Sequence, residues 1–487
     1  MTEAATNRRR WIALVVLCVG MLMIVLDATV VNVALPSIQD DLGFSQSSLA
    51  WVVNAYLIAF GGLILFAGRL GDLLGRRRVF LAGLAVFTGA SLFCGIAQSP
   101  GLLIAARFVQ GAGGALTSWV ILGMIVTTFR EPREQAKAIG VYSFVASAGG
   151  SIGLLAGGGL TQAVSWHWIF FVNLPIGIAT ALLALRVVER DEGVGIERGA
   201  DLPGAALVTS ALMLGVYTIL EAGSHGWGSL HTLGLGAVSL ALLFAFVARQ
   251  ARVSNPLMPL RLFRSRDVAG ANAVQALFVA GMFGMFFLGA LYLQRVLGYD
   301  ALEVGLAFLP VTLVIGTLSL GFSERLNTRF GPKATLLPSL VLIAAGLVLF
   351  ARAPVGGDYV ADVLPGMVLL GLGAGVSFPS LMTLAMSGAT PSDAGLASGL
   401  VNTTLQVGGA VGLAVLATLA TTRTQHLLSR GDGSASALTG GYHLAFIVAA
   451  GLVVAALVVA ITVLSSGRVE EAEARLDAPE PAYSEAG

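Results

Sequence analysis

The stretch Gly68-Arg69-Leu70-Gly71-Asp72-Leu73-Leu74-Gly75-Arg76-Arg77-Arg78 decides how this chain is read. It lies between two long apolar runs and places four arginines and one aspartate within eleven residues. A short basic segment between two runs of membrane-crossing length reads as a cytoplasmic turn, because loops on that side retain Lys and Arg. Gly68, Gly71 and Gly75 predict a glycine-hinged loop that turns tightly and lets two helix ends approach. Asp72 is an internal partner for the arginines. The charges alone need only a generic positive loop; the spacing G-R-x-x-D-x-x-G-R-R goes beyond that.

The composition agrees with a membrane setting. Of 487 residues, 56% are hydrophobic and 11% charged, whereas a soluble domain carries about 25% charged residues. Mean hydropathy is +0.85. A large soluble core is excluded, and the net charge of +1 makes no case for nucleic acid. Cys18 and Cys94 lie inside apolar runs and imply no disulfide framework. Arginine outnumbers lysine, which occurs only at Lys137 and Lys333, a usage that suggests a high-GC bacterial genome. The first apolar run leads into Asp27 and Asn32 without a small-residue cleavage site, so no cleavable signal is expected.

Measured against the ~20 apolar residues that a membrane helix needs, the chain contains fourteen runs. They cover approximately 11–35, 48–67, 79–97, 102–128, 138–162, 169–186, 203–221, 229–248, 268–293, 302–321, 334–351, 362–387, 396–420 and 441–464. With the N-terminus placed in the cytoplasm, 23 of the 28 Lys and Arg residues fall on that side and 4 on the other, Arg107 lying within a helix. One missed helix would invert every later loop and destroy this asymmetry. The even count puts both termini in the cytoplasm. Residues 467–487, with Glu470, Glu471 and Glu473, read as a solvated, disordered tail.

An internal repeat supports the count. Gly140, Gly149, Gly150 and Gly153 recur as Gly399, Gly408, Gly409 and Gly412, each offset by 259 residues. Arg69, Leu70, Gly75 and Arg77 recur as Arg325, Leu326, Gly331 and Lys333, offset by 256. The expected organisation is an all-α polytopic membrane protein of two parallel six-helix halves, 1–186 and 268–466, with two inserted helices within 187–267. Gly149, Gly150, Gly153, Gly157, Gly408, Gly409 and Gly412 are expected to pack helices closely.

Asp27 is the sharpest candidate for chemistry. A carboxylate in the hydrocarbon region is costly and usually faces a cavity or a partner. It lies sixteen residues after Trp11, or ~24 Å along a helix, in the outer half of the membrane. Arg107, ~8 Å from the outer end of its own helix, lies at similar depth. If their helices line one cavity the two can pair or compete for protons, and alternation between a paired and a desolvated carboxylate would give proton coupling. A structural ion pair that orders helix packing is the alternative. Asn32, Gln110, Asn272, Gln275, Asn402 and Gln406 are cavity candidates, with helix–helix hydrogen bonding equally open. His167 reads as an interfacial residue without a nearby partner, and Glu221 as a solvated helix end. There is no nucleotide-binding loop and no His/Cys/Asp cluster with metal spacing, so no enzyme activity, cofactor or metal is expected.

Residues 68–78 resemble the loop between helices 2 and 3 of the major facilitator superfamily. Arg107-Phe108-Val109-Gln110-Gly111-Ala112-Gly113 resembles the family's R-x-x-Q-G-x-G, whose arginine is implicated in proton transfer. Asp27 through Pro36 resembles the motif D-x-T-x-x-N-x-A-L-P of the fourteen-helix drug:proton antiporter branch, of the EmrB/QacA type. Trp166-His167-Trp168-Ile169-Phe170 with Asn173-Leu174-Pro175-Ile176-Gly177 resembles that branch's W-R-W-x-F…N-x-P-x-G. Three departures stand out: Gly153-Leu154 replaces the usual G-P, His167 replaces an arginine, and the repeated loop in the second half has Thr328 in the place of Asp72. The resemblance implies a monomeric transporter in the bacterial plasma membrane that exports hydrophobic or amphipathic drugs in exchange for protons. Its partners would be the small-molecule substrate, protons and the lipid bilayer, and the proton gradient its energy source. Asp27 and Arg107 would serve proton coupling; Gly68, Arg69, Asp72, Gly75, Arg76 and Arg77 would form a cytoplasmic gate. Export of an endogenous lipid, siderophore or antibiotic is the alternative, ahead of a proton:solute symporter or a non-transporting sensor.

Overall fold

The computed structural model describes residues 3–129, 131–191, 193, 201–253, 256–258, 260–386 and 394–465; the expected acidic tail lies outside them. Among the described residues all regular structure is helical. The first stretch comprises α1 (Glu3–Leu42), α2 (Gln46–Leu49), α3 (Trp51–Leu74), α4 (Arg76–Gly95), α5 (Pro100–Thr128), α6 (Pro132–Ala163), α7 (Trp168–Phe171) and α8 (Asn173–Val187). Then come α9 (Leu202–His225) and α10 (Leu230–Gln250). The last stretch comprises α11 (Arg266–Arg295), α12 (Ala301–Gly321), α13 (Ser323–Phe330), α14 (Pro332–Phe350), α15 (Leu364–Met386), α16 (Ala394–Ser429) and α17 (Ser434–Val463). Twelve described helices are long and apolar enough to cross a membrane.

Local sequence explains where helices begin. Ser99 caps α5 by accepting from Leu102 N, with Pro100 in the first turn, where its missing N–H is harmless. Asp300 and Glu303 form a reciprocal capping box at α12. Helices also run past the apolar spans. α1 continues through Pro36 to Leu42, where Gln294 and Arg295 of α11 donate to Val33 O at 2.9 Å and Pro36 O at 3.4 Å. Side chains of α11 thus bond to the backbone of α1 at and just before Pro36.

The 68–78 stretch differs from the expected loop. α3 runs to Leu74 and α4 begins at Arg76, leaving Gly75 as the single hinge, at φ +93°. Gly68 and Gly71 are helical and serve packing instead: a β-carbon on Gly68 would lie 2.1 Å from Trp119 Nε1, and one on Gly71 2.8 Å from Val120 Cγ1. α3 can therefore rest directly on α5.

The repeat is visible in the backbone. Gly331 joins α13 to α14 at φ +85°, matching Gly75. Arg77 donates to Leu185 O at 2.5 Å near the end of α8, and its counterpart Lys333 donates to Ile461 O and Leu464 O at the end of α17. α6 rests on α1, where β-carbons at Gly149, Gly153 and Gly157 would strike Val25, Thr29 and Val30. α16 rests on α11 in the same way: Gly408, Gly409 and Gly412 meet Ala276, Phe283 and Ala280. The surroundings of Gly150 lie outside the described residues.

α9 and α10 form an antiparallel hairpin, with Ser239 Oγ donating to Ala211 O at 2.7 Å and Arg249 bonded to Asp201 at its open end. α9 leans on α3 at Gly62 and Thr209, and on α16 where Thr418 donates to Ile219 O. α10 exposes Leu230 and Phe244 on its outer face. The first and last stretches meet along two seams. Gly61 of α3 touches Gln406 of α16, and Gly158 of α6 touches Ala301 and Leu302 of α12. The basic termini of α4 (Arg76–Arg78), α10 (Arg249) and α14 (Lys333) lie at one end of the bundle, called the basic end below.

Candidate functional site

α1, α3, α4, α5 and α8 converge on one buried polar cluster. α5 can come this close because Gly111 and Gly113 face backbone: added β-carbons would lie 2.3 Å from Tyr56 O on α3 and 2.5 Å from Phe87 N on α4. That approach brings Arg107 and Gln110, one turn apart on the same face of α5, against Asp27 of α1. Asp27 and Arg107 are each 1% exposed. Arg107 Nη1 donates to Asp27 Oδ2 at 2.5 Å.

The pair is embedded in further bonds. Asp27 Oδ1 accepts from Gln110 Nε2 at 2.7 Å and Asn173 Nδ2 at 3.0 Å. Arg107 Nε donates to Val52 O at 3.0 Å, and Nη1 also donates to Gln110 Oε1 at 2.6 Å. The guanidinium carbon stands 4.4 Å from the Tyr56 ring centroid and 5.7 Å from that of Phe170, a cation–π contact in dry surroundings. Ser91 Oγ accepts from both Gln110 Nε2 (2.8 Å) and Asn173 Nδ2 (3.3 Å) and donates to Phe87 O. Charges removed from water are tolerable when paired and hydrogen-bonded; here both Asp27 oxygens accept, and Arg107 donates from Nε and Nη1. A carboxylate leaving that guanidinium while buried must take up a proton or another cation.

Sequence reasoning found Asp27, Arg107 and Gln110. It missed Ser91 and Tyr56, and it quoted Asn173 within a motif without giving it a partner. Nothing along the chain ties a serine on α4 to a carboxylate on α1; helix packing supplies that link. Asn32 is half-buried on α1. Asn272 and Gln275 are committed to the α11–α16 contact: Asn272 accepts from Thr404 Oγ1 at 2.8 Å and donates to Val268 O, and Gln275 donates to Val401 O. Asn402 and Gln406 lie half-buried on α16, and Gln406 faces Gly61 across the seam.

At the basic end, Arg76 Nη1 donates to Gly123 O at 3.1 Å and Arg77 is buried. The side chains of Arg69 and Asp72 lie outside the described residues. The carboxylate serving α4 is one the sequence did not single out. Asp191, beyond α8, accepts from Arg76 N at 2.6 Å and Arg77 N at 3.0 Å, an anion on the free amides of a helix start.

At the opposite end His167 does have a partner, contrary to expectation. It stacks on Trp166 at 3.8 Å, and its Nε2 lies 4.0 Å from Asp41 Oδ2. Glu221 lies 3.4 Å from His225, one turn along α9. The two stretches are clasped here: Arg295 Nη2 reaches Asp40 Oδ1 (2.5 Å), Gln39 Oε1 (3.3 Å) and Pro36 O, while Gln162 Nε2 donates to Asp300 Oδ2 at 2.8 Å. Beside the clasp lies a cleft of about 330 Å³ that includes Ser37, Gln162, Gln294 and Asp300.

Comparison with known proteins adds lineage to this geometry. Residues 17–413 match the family described as Major Facilitator Superfamily. The chain is 40% identical to the puromycin resistance protein of Streptomyces alboniger over 96% of its length and 93% of the relative's. It is 40% identical to the cephamycin export protein of Amycolatopsis lactamdurans, covering 92% and 91% of the two chains. In fold it matches a bacterial homolog of the human lysosomal transporter Spinster, with TM-score 0.68 at 16% identity, over 93% of this chain and 98% of that one.

Proposed function

Because the chain belongs to the major facilitator superfamily, we propose that it is a proton-coupled exporter of hydrophobic or amphipathic antibiotics, working by alternating access. The observation that carries this is the Asp27–Arg107 pair, 1% exposed and held at 2.5 Å. So costly an arrangement suits a site that exchanges partners during transport. Fourteen spans follow if α3 and α6 join the twelve apolar helices. The basic end faces the cytoplasm, with both termini there, in the bacterial plasma membrane. Residues 1–186 and 268–466 are the two halves, and 187–267 carry the insertion.

In the cycle, Asp27 accepts a proton on the outer side, releases Arg107, and is deprotonated again when the site communicates with the cytoplasm. Gln110 and Asn173 hold the carboxylate's orientation through both steps. Arg76 and Arg77, ordered by Asp191 and joined by Gly68, Arg69, Asp72 and Gly75, form the cytoplasmic gate. The protein acts as a monomer on a small molecule, with the proton gradient as its energy source.

A specific observation favours an antibiotic as cargo: a relative at 40% identity is named for cephamycin export. The test uses inverted vesicles with an acidic interior, to which puromycin, a cephamycin and a lipophilic cation are added. The expected result is gradient dissipation by at least one compound in wild type and none in Asp27→Asn. Accumulation of a compound without proton movement would remove the coupling and keep the export; movement of neither would sink both.

A further inference from the structure

The inserted hairpin carries a buried clamp that the mechanism above does not use. Asp201 is 4% exposed, at the start of α9. Its Oδ1 accepts from Arg249 Nε at 2.6 Å and Gly204 N at 2.9 Å, and its Oδ2 from Gln250 Nε2 at 2.8 Å. Gln250 then turns its Oε1 to the segment beyond α10, accepting from Met258 N at 3.1 Å. The clamp thus orients residues 256–258 as well as closing the hairpin.

That segment lies where the two stretches meet. Leu257 is buried with Ala205, Val208 and Phe246 of the hairpin, and Phe66 of α3 packs on this group. Met258 packs on the same group and also on Val268 of α11 and Leu400 of α16. α3 and α16 touch directly at Gly61 and Gln406. Phe66 and Leu400 lie five and six residues nearer the basic end, ~8–9 Å along the helices. There the insertion stands between them.

We propose that Asp201 and Gln250 are positioning residues that hold Met258 as a brace across the basic-end seam, through which the inserted hairpin stabilises the state clasped at the opposite end. The physical reason is geometric. Alternating access requires α3 and α16 to change their separation at this end, and an apolar contact shared by the hairpin, α3, α11 and α16 cannot survive that change intact. Its burial energy belongs to one state only, and a contact made in one state alone shifts the equilibrium. This rests on the alternating-access reading.

The test reads the opposite end directly, in the full chain in intact cells. A Ser37→Cys reporter in the cleft is labelled with a membrane-impermeant maleimide from outside; Cys18 and Cys94 are buried. Met258→Ala removes the brace and leaves the Asp201 clamp intact. Gln250→Leu removes the bond to Met258 N and leaves the Asp201–Arg249 pair. Each is expected to raise the labelling rate about three- to tenfold, with the double variant no higher than the larger single, since both act through one contact. An unchanged or slower rate in Met258→Ala overturns the proposal, as does a double variant in which the effects multiply. Should Gln250→Leu fail to reach the membrane, Met258→Ala decides alone. The readout needs neither cargo nor proton, so raised labelling beside a failed export assay would sink the export reading and keep the brace.

Discussion

Arg107 and Asp27 are each tolerable in the interior because of the other. Truncating one leaves an uncompensated buried charge, which costs about 3–5 kcal/mol. Arg107→Ala is therefore expected to lower the detergent-solubilised thermal midpoint sharply, and Asp27→Asn combined with Arg107→Gln to recover much of the loss. If the double variant is no more stable than Arg107→Ala, the pair is not coupled as its geometry requires. Asn173 is a lesser partner. Asn173→Leu should cost about 1–3 kcal/mol, by leaving Asp27 Oδ1 short of a donor. These roles differ in how they could be read. A carboxylate and a guanidinium stand out within apolar runs, whereas Ser91, Tyr56 and Asn173 look like ordinary residues until α4, α3 and α8 are packed against α1.

Among the elements, α4 owes its start to a residue 114 positions away from Arg77. Losing a side-chain cap costs about 1 kcal/mol, so Asp191→Ala should increase amide exchange in the first turn of α4, and Asp191→Asn should restore most of the protection. Unaltered exchange would show that the turn stands without the carboxylate. The α9–α10 hairpin has a titratable clamp. Burial opposes the charge on Asp201, but hydrogen bonds from Arg249, Gly204 N and Gln250 outweigh it and hold the carboxyl below its usual range. A depressed carboxylate adds stability that is full above the unfolded value of about 3.9 and is lost as pH falls through the lower folded value. The thermal midpoint of Asp201→Asn relative to wild type should therefore be constant between pH 5 and 8, and the gap should narrow below pH ~4. The glycines of residues 68–78 carry a related lesson. Glycine is equally apt for a hinge and for close helix contact, so composition announced both uses at three positions, and only Gly75 turned out to be the hinge.

For the whole molecule, the contacts that set the balance between states differ in strength. Arg295 and Asp40 are 33% and 65% exposed in their side chains, and such pairs contribute about 0.2–1 kcal/mol and weaken with salt. Arg295→Ala should raise labelling of the Ser37→Cys reporter only a few-fold, and the difference from wild type should fade at ~1 M salt. A difference that persists there would mean that shape rather than charge closes this end. The α3–α16 seam tolerates no bulk, since a β-carbon on Gly61 would lie 2.7 Å from Gln406 Cβ. Gly61→Leu should abolish antibiotic export from cells while membrane expression is retained; normal export would mean that this contact is not kept during transport.

The sequence by itself determined the membrane class, the positions of the apolar helices, the paired glycine faces and the two charges worth following. Those signals are written along the chain: hydropathy, period, charge and the offset of a repeat. The tertiary structure alone decided that Asp27 is shared by Arg107, Gln110 and Asn173, that Asp191 rather than a neighbour caps α4, that Asn272 and Gln275 are spent on α16, and that Met258 reaches both sides of a seam. Each of these depends on which helix faces meet and at what height. That is set by packing residues hundreds of positions apart, and no local pattern records it.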